Sequence, residues 1–164
     1  MIRRSAAFWA VAWLGLAGTA YADVTLTVTS LEGGRDVDFG DLRSLGPDGE
    51  PEADTAVRRV RLTVASTSSG TYKVFMRVNE PWKNLSGGEL AMEKVQFFVS
   101  EASAGATARF PNPTPMSLGE QEILFFQNEP AGTTTSVVTY TLPIPVGQQA
   151  GNYRTTLSFR VVSQ

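Results

Sequence analysis

Beyond residue 23 the chain alternates apolar and polar side chains with a period of two, the spacing that turns successive residues to opposite faces of a β-strand. Val24, Leu26 and Val28 alternate with Thr25, Thr27 and Thr29, and Val60, Leu62 and Val64 with Arg59, Arg61 and Thr63. Tyr72, Val74, Met76 and Val78 make a third row with Lys73 and Arg77 on the other face; Val95, Phe97 and Val99 make a fourth. Residues 123–127 are apolar on both faces, which suits a central strand, and Val138, Tyr140 and Leu142 alternate with Thr139 and Thr141. In the last run Tyr153, Leu157, Phe159 and Val161 share one parity, with Arg154, Thr156, Ser158 and Arg160 on the other. No window carries a sustained 3.6-residue stripe, so no stable helix is predicted outside the N-terminal segment.

Turn-forming clusters separate these rows, among them Gly46-Pro47-Asp48-Gly49, Ser68-Ser69-Gly70, Ser86-Gly87-Gly88, Pro111-Asn112-Pro113 and Pro145-Val146-Gly147. About seven or eight strands that are apolar on one face can bury those faces only against each other. The connections run from a few residues to more than a dozen, too uneven for an up-and-down barrel, and the predicted fold is an all-β, immunoglobulin-like two-sheet sandwich. The stretches 42–56 and 101–119 read as long loops, the natural carriers of a binding role.

The first residues have a different pattern. Arg3 and Arg4 precede an apolar run over residues 6–17, and Ala20-Tyr21-Ala22 follows with the small-x-small form of a cleavage site. The run is shorter than the ~20 residues that span a bilayer, so residues 1–22 read as a secretory signal and residues 23–164 as a single domain. The expected location of the mature chain is secreted, periplasmic or at the cell surface, with no membrane-spanning segment.

Composition narrows the chemistry. The chain has no histidine and no cysteine, which removes Ser-His-Asp and Cys-His hydrolases, thiol nucleophiles and Cys-rich zinc sites, and points away from an enzyme. No cofactor is called for. Loss of Arg3 and Arg4 takes the formal charge from -2 to about -4. The only basic knot is Arg58, Arg59 and Arg61, so a nucleic-acid partner is not expected.

Asp36, Asp38 and Asp41 stand close enough in sequence to share a calcium ion. Their spacing departs from the Asp-x-Asp-x-Asp-Gly loop with its distal Glu, and a solvated acidic loop is the plainer reading. Trp82, the sole tryptophan after residue 22, lies in a loop. It could offer its indole face to a sugar ring, or close one open end of the core as a lid. Asn84-Leu85-Ser86 has the form of an N-glycosylation sequon, Tyr140 and Tyr153 are placed in the core with hydroxyls at its margin, and Phe98, Phe110, Met116 and Phe126 could form an exposed apolar patch.

The terminal strands carry the most weight. A strand directly after the cleavage site is free to pair with its own sheet or with an open edge on another molecule, Val24, Leu26 and Val28 entering the acceptor's pockets. Tyr153, Leu157, Phe159 and Val161 would line the sheet that such a strand joins. The segment from Ala150-Gly151-Asn152-Tyr153 to Val162 resembles the closing strand of exported bacterial β-sandwich families: the fimbrial-subunit and spore-coat-U group, with Gly-x-Tyr followed by alternating Thr and apolar residues, and the WxL group, with Tyr-x-x-x-Leu-x-Trp-x-Leu. Here Phe159 stands for Trp and Val161 for Leu; the cysteines common in fimbrial subunits and an upstream Trp-x-Leu are missing. The first resemblance implies a subunit of a surface fibre, the second attachment to cell-wall glycan. The expected function is a non-catalytic structural or adhesive surface subunit whose partners are other protein subunits or itself, joined by terminal-strand exchange; the alternative is a cell-wall or glycan-binding module built on Trp82 and the long loops.

Overall fold

The computed structural model describes residues 24–32, 37–42, 54–128, 131–144, 146 and 150–164. Residues 1–22, read above as a secretory signal, Asp36 and the centre of the acidic loop fall outside the described residues. Eleven strands are present among the rest: β1 (Val24–Ser30), β2 (Val37–Leu42), β3 (Asp54–Ser66), β4 (Gly70–Val78), β5 (Gln96–Ala102), β6 (Ala106–Ala108), β7 (Thr114–Pro115), β8 (Gly119–Asn128), β9 (Gly132–Ile144), β10 (Gly151–Thr155) and β11 (Leu157–Ser163). Every pairing between them is antiparallel. They form a five-stranded sheet in the order β1-β3-β9-β5-β7, a four-stranded sheet in the order β11-β4-β8-β6, and a two-stranded ribbon of β10 and β2. The expected two-sheet sandwich is the observed fold, with more strands than the sequence rows suggested. Among the described residues its one helical element is the single 3-10 turn Met92–Lys94.

The sheets meet through their alternating rows. Val60, Leu62 and Val64 of β3, Tyr72, Val74, Met76 and Val78 of β4, Phe97 of β5 and Val138, Tyr140 and Leu142 of β9 belong to one hydrophobic cluster. Tyr140 is fully buried, and its hydroxyl donates to Met76 Sδ at 3.1 Å. It therefore lies inside the core rather than at the expected margin, and burial raises its phenol well above the usual tyrosine range. The β3–β4 turn is fixed by a polar cluster, with Ser66 Oγ 2.5 Å from the Tyr72 hydroxyl and that hydroxyl donating to the Ser68 carbonyl at 2.8 Å.

The doubly apolar run in β8 has a specific cause. Val74 faces Leu124 and Phe75 faces Glu122, so Ile123 is an extra residue in the ladder, a β-bulge. Ile123 and Leu124 are both buried as a result, although adjacent. On the solvent side Phe125 lies under the Arg109 guanidinium at 5.3 Å, and Phe75 under that of Arg160 at 4.3 Å.

The same outer face holds three ion pairs. Arg160 makes a two-pronged contact with Glu120 at 2.6 and 2.7 Å, and Glu122 receives Arg109 at 2.8 Å and Lys73 at 3.1 Å. The hydrogen bond from Arg109, followed by that from Lys73, holds the Glu122 carboxyl below its ordinary value of 4.5. A folded-state value depressed in this way gives stability that is complete above the unfolded carboxylate value and is lost as pH falls through the folded one. The melting temperature should stay level from neutral pH to about pH 5 and then decline, and Glu122→Gln should make the decline shallower. The amplitude is small because the pairs are wet. An acid limb of identical slope in the variant would show that these pairs contribute nothing.

The stretch 101–119 is more ordered than a loop. It ends β5, supplies β6 to the four-stranded sheet and β7 to the five-stranded one, and so weaves between the sheets along one flank. Met116 and Phe126 are buried, and Phe110 packs on Phe97 with ring centroids 4.9 Å apart. Phe110, Met116 and Phe126 therefore complete the core edge, while the half-buried Phe98 alternates with the buried Phe97 and Val99 and faces the other side of β5, so the four do not form the expected apolar patch. Similarly, Leu42 closes β2 and Asp54 to Ala56 open β3, which shortens the acidic stretch from both ends.

Candidate functional site

One flank of the sandwich is bounded by the two terminal strands. β1 ends the five-stranded sheet, β11 ends the four-stranded sheet, and the two lie near each other across the sheets. Which backbone groups each turns outward follows from register. Leu31 N–H donates to the Arg59 carbonyl at 3.0 Å, continuing the β1–β3 ladder in which Thr29 faces Arg61 and Thr27 faces Thr63. Hydrogen-bonded pairs alternate along an antiparallel ladder, so Thr25, Thr27 and Thr29 bond to β3, and the N–H and C=O of Val24, Leu26 and Val28 point away from it. Gln164 N–H donates to the Thr71 carbonyl at 2.9 Å, which by the same rule turns the backbone groups of Leu157, Phe159 and Val161 outward from β4.

Six of the seven expected interface residues thus share this flank. Val24, Leu26, Leu157, Phe159 and Val161 are half-buried against the core, and Val28 is 44% exposed. Tyr153 is the exception. The closing run is not one strand: it breaks at Thr156, β10 pairing with β2 and β11 with β4. Tyr153 is fully buried in β10, away from the flank. The odd residues keep facing inward across the break, so alternation alone could not reveal the change of partner.

The edges differ in how they are protected. β6 and β7 are three and two residues long, short enough to offer little template, and β11 carries Arg160 tied to Glu120. β1 has seven residues with no charge, proline or glycine and no break in register.

A second feature lies around Trp82. Residues 82–84 and 88–90 form a small hairpin, with Leu90 N–H bonded to the Trp82 carbonyl at 2.9 Å and Asn84 N–H to the Gly88 carbonyl at 2.9 Å. The hairpin continues the ribbon of β10 and β2, because Lys83 and Arg154 exchange backbone hydrogen bonds at 3.1 and 3.2 Å. Trp82 points inward from it and is fully buried, its ring 5.8 Å from that of Phe39. This corrects the sugar-platform expectation: the indole face that would stack on a ring is covered by the core, together with Leu90 and Tyr153.

Asn84 is also largely buried. Its Oδ1 accepts from Ser86 N–H at 3.0 Å and Gly88 N–H at 2.6 Å, which fixes the turn, and its Nδ2 is buried with no protein partner. A Cβ on Gly151, where φ is +153°, would stand 2.8 Å from that Nδ2, so the position requires glycine for both space and backbone. A nitrogen enclosed in this way is a poor acceptor for a glycan, against the sequon reading. Beside the hairpin is an open cleft of about 270 Å³ lined by Glu80, Pro81, Lys83, Asn84, Leu85, Arg154, Thr155 and Thr156.

Asp38 and Asp41 enter β2 by register, opposite Arg154 and Asn152; Asp36 and the side chains of Asp38 and Asp41 lie outside what is described. Among the described residues no group of three or more His, Cys, Asp or Glu could hold a metal ion, and no helix is long and apolar enough to cross a membrane.

Fold and flank together define an antiparallel β-sandwich bounded on one side by its own terminal strands. No protein-family model matches the chain, and no curated protein or solved structure matches it either. The fimbrial-subunit and WxL resemblances accordingly stand on the C-terminal strand pattern alone.

Proposed function

We propose that the chain is a non-catalytic, extracytoplasmic structural or adhesive surface subunit that joins copies of itself by exchanging its N-terminal strand. The observation that carries the reading is the pairing of β1, a neutral, alternating, unbroken seven-residue strand at a sheet edge; the cleavage expected after Ala22 would leave it attached to the domain only at its C-terminal end. A neighbour's β1 would rebuild the same register on β3, Val24 opposite Ser66 through Ser30 opposite Val60, so exchange costs no contact within the sheet. The clamp that exchange must loosen is Glu32, whose carboxylate accepts the Arg59 N–H at 2.7 Å and the Arg59 Nε at 2.8 Å. The signal-like residues 1–22 support export, and the missing histidine and cysteine support a role without catalysis.

The test is size-exclusion chromatography of the protein spanning residues 23–164, of a form lacking residues 23–30, and of that form with excess peptide Asp23 to Ser30. Concentration-dependent assembly of the first, none of the second, and a soluble capped monomer of the third are expected. A full-length protein that stays monomeric under every condition would remove strand exchange.

A further inference from the structure

We propose that the cleft between the Trp82 hairpin and the β10–β11 junction binds a singly charged anionic sugar, a uronate residue of a glycan, through Arg154 and Lys83. The inference does not depend on how copies join. Lys83 and Arg154 are opposite one another in a hydrogen-bonded antiparallel pair, with reciprocal bonds of 3.1 and 3.2 Å, so their side chains leave the same face of the ribbon. Two like charges in directly opposed positions repel, and an antiparallel pair of this kind is unfavourable unless something negative lies between them.

Acids flank the pair on its outer sides, Glu89 opposite Lys83 and Asp38 opposite Arg154 in register. Lys83 Nζ is 3.8 Å from Glu89, both side chains about half exposed, which makes a weak pair. Among the described side chains, which do not include that of Asp38, the Arg154 guanidinium has no hydrogen-bond or ion-pair partner, and it lines the cleft. An anion placed there would relieve the repulsion and accept a planar, two-pronged contact from Arg154.

The remaining walls narrow the class of anion. Glu80 lines the cleft as well, and a second negative charge on the ligand would meet it, so a monoanion that also carries hydroxyl donors fits better than a phosphate dianion. The exposed Thr156 supplies a further polar contact, and Pro81 with Leu85, which is 88% exposed, gives an apolar margin for the face of a ring. A volume of about 270 Å³ falls just below the range of drug-sized pockets and suits one monosaccharide unit. The two walls are already joined, because Thr155 Oγ1 donates to the Glu80 carbonyl at 2.8 Å, so binding does not have to order them.

The experiment is a titration of the protein spanning residues 23–164, followed by amide chemical shifts, with D-glucuronate, with D-glucose as the ring without the carboxylate, and with inorganic phosphate. Glucuronate should give saturable shifts at residues 80–85 and 154–156 with a dissociation constant in roughly the millimolar range. Glucose and phosphate should each bind at least about tenfold more weakly. Arg154→Gln should weaken glucuronate by about tenfold at an unchanged melting temperature, and Lys83→Gln by a smaller factor. Arg160→Gln, on the outer face of the four-stranded sheet, should leave binding as it was. Equal binding of glucose, equal or tighter binding of phosphate, an unaffected Arg154→Gln protein, or no saturation by about 50 mM glucuronate would overturn the proposal.

Discussion

Trp82→Ala is expected to lower the stability of the protein spanning residues 23–164 by about 3–5 kcal/mol, the largest loss anticipated for any single truncation in the hairpin. The indole is fully buried, and its neighbours cannot follow it inward. Phe39 belongs to the β2 ribbon, Leu90 is held by the backbone bond to Trp82 itself, and Tyr153 is in β10. Each is held by the backbone pairing of its own segment, so the volume vacated by the ring remains a cavity instead of collapsing. Denaturant unfolding measures the effect directly, with Leu85→Ala as a control that removes an exposed side chain from the same hairpin. A Trp82→Ala protein within 1 kcal/mol or so of the parent would mean that the indole does not fill the core.

That prediction also marks how much a sequence of this kind reveals. The two-sheet sandwich was legible because Val60-Leu62-Val64, Tyr72-Val74-Met76 and Val138-Tyr140-Leu142 each place an apolar side chain at every second position over five residues, and all of these side chains lie in the core. Elements shorter than that were not legible. β6 and β7, with three and two residues, cannot express a period of two, and the hairpin at 82–90 pairs through backbone bonds that leave no residue pattern. Residues 123–127 could be read as doubly buried, but whether by a central position or a bulge depends on the partner strand, since only the register against β4 shows that Ile123 is extra.

The candidate sites divide along the same line. Six flank residues could be named from sequence because a terminal alternating strand turns its apolar side chains inward wherever it pairs. The cleft could not, because Lys83 and Arg154 are 71 positions apart in a chain where each alone reads as an ordinary solvated cation. The one signal that might have been used was the small-residue turn Ser86-Gly87-Gly88, which predicts a tight connection after Trp82 and hence a hairpin arm beside it; Gly87 does take a φ of +83° there.

Two proline substitutions in β1 should separate the ways in which this strand can join molecules. Thr27 is in a hydrogen-bonded pair with Thr63, so Thr27→Pro deletes an N–H that the ladder uses, leaves the Thr63 carbonyl without its donor, and should cost about 2–3 kcal/mol. Val28 turns its N–H to the open flank, where proline is tolerated on an edge strand, so Val28→Pro should cost less than about 1 kcal/mol. Strand exchange rebuilds only the bonds to β3; addition of a foreign strand to the outer rim of β1 uses the N–H and C=O of Leu26 and Val28. Under exchange, Val28→Pro protein should assemble to the same extent as the parent by size-exclusion chromatography, and Thr27→Pro, which removes the same bond from the closed and the exchanged form, should lower stability rather than the extent of assembly. If Val28→Pro alone abolishes assembly while its unfolding midpoint is unchanged, copies meet rim to rim and β1 never leaves its own sheet; if Thr27→Pro is as stable as Val28→Pro, the alternation of inner and outer backbone groups along β1 is the reverse of that deduced from Leu31 and Arg59.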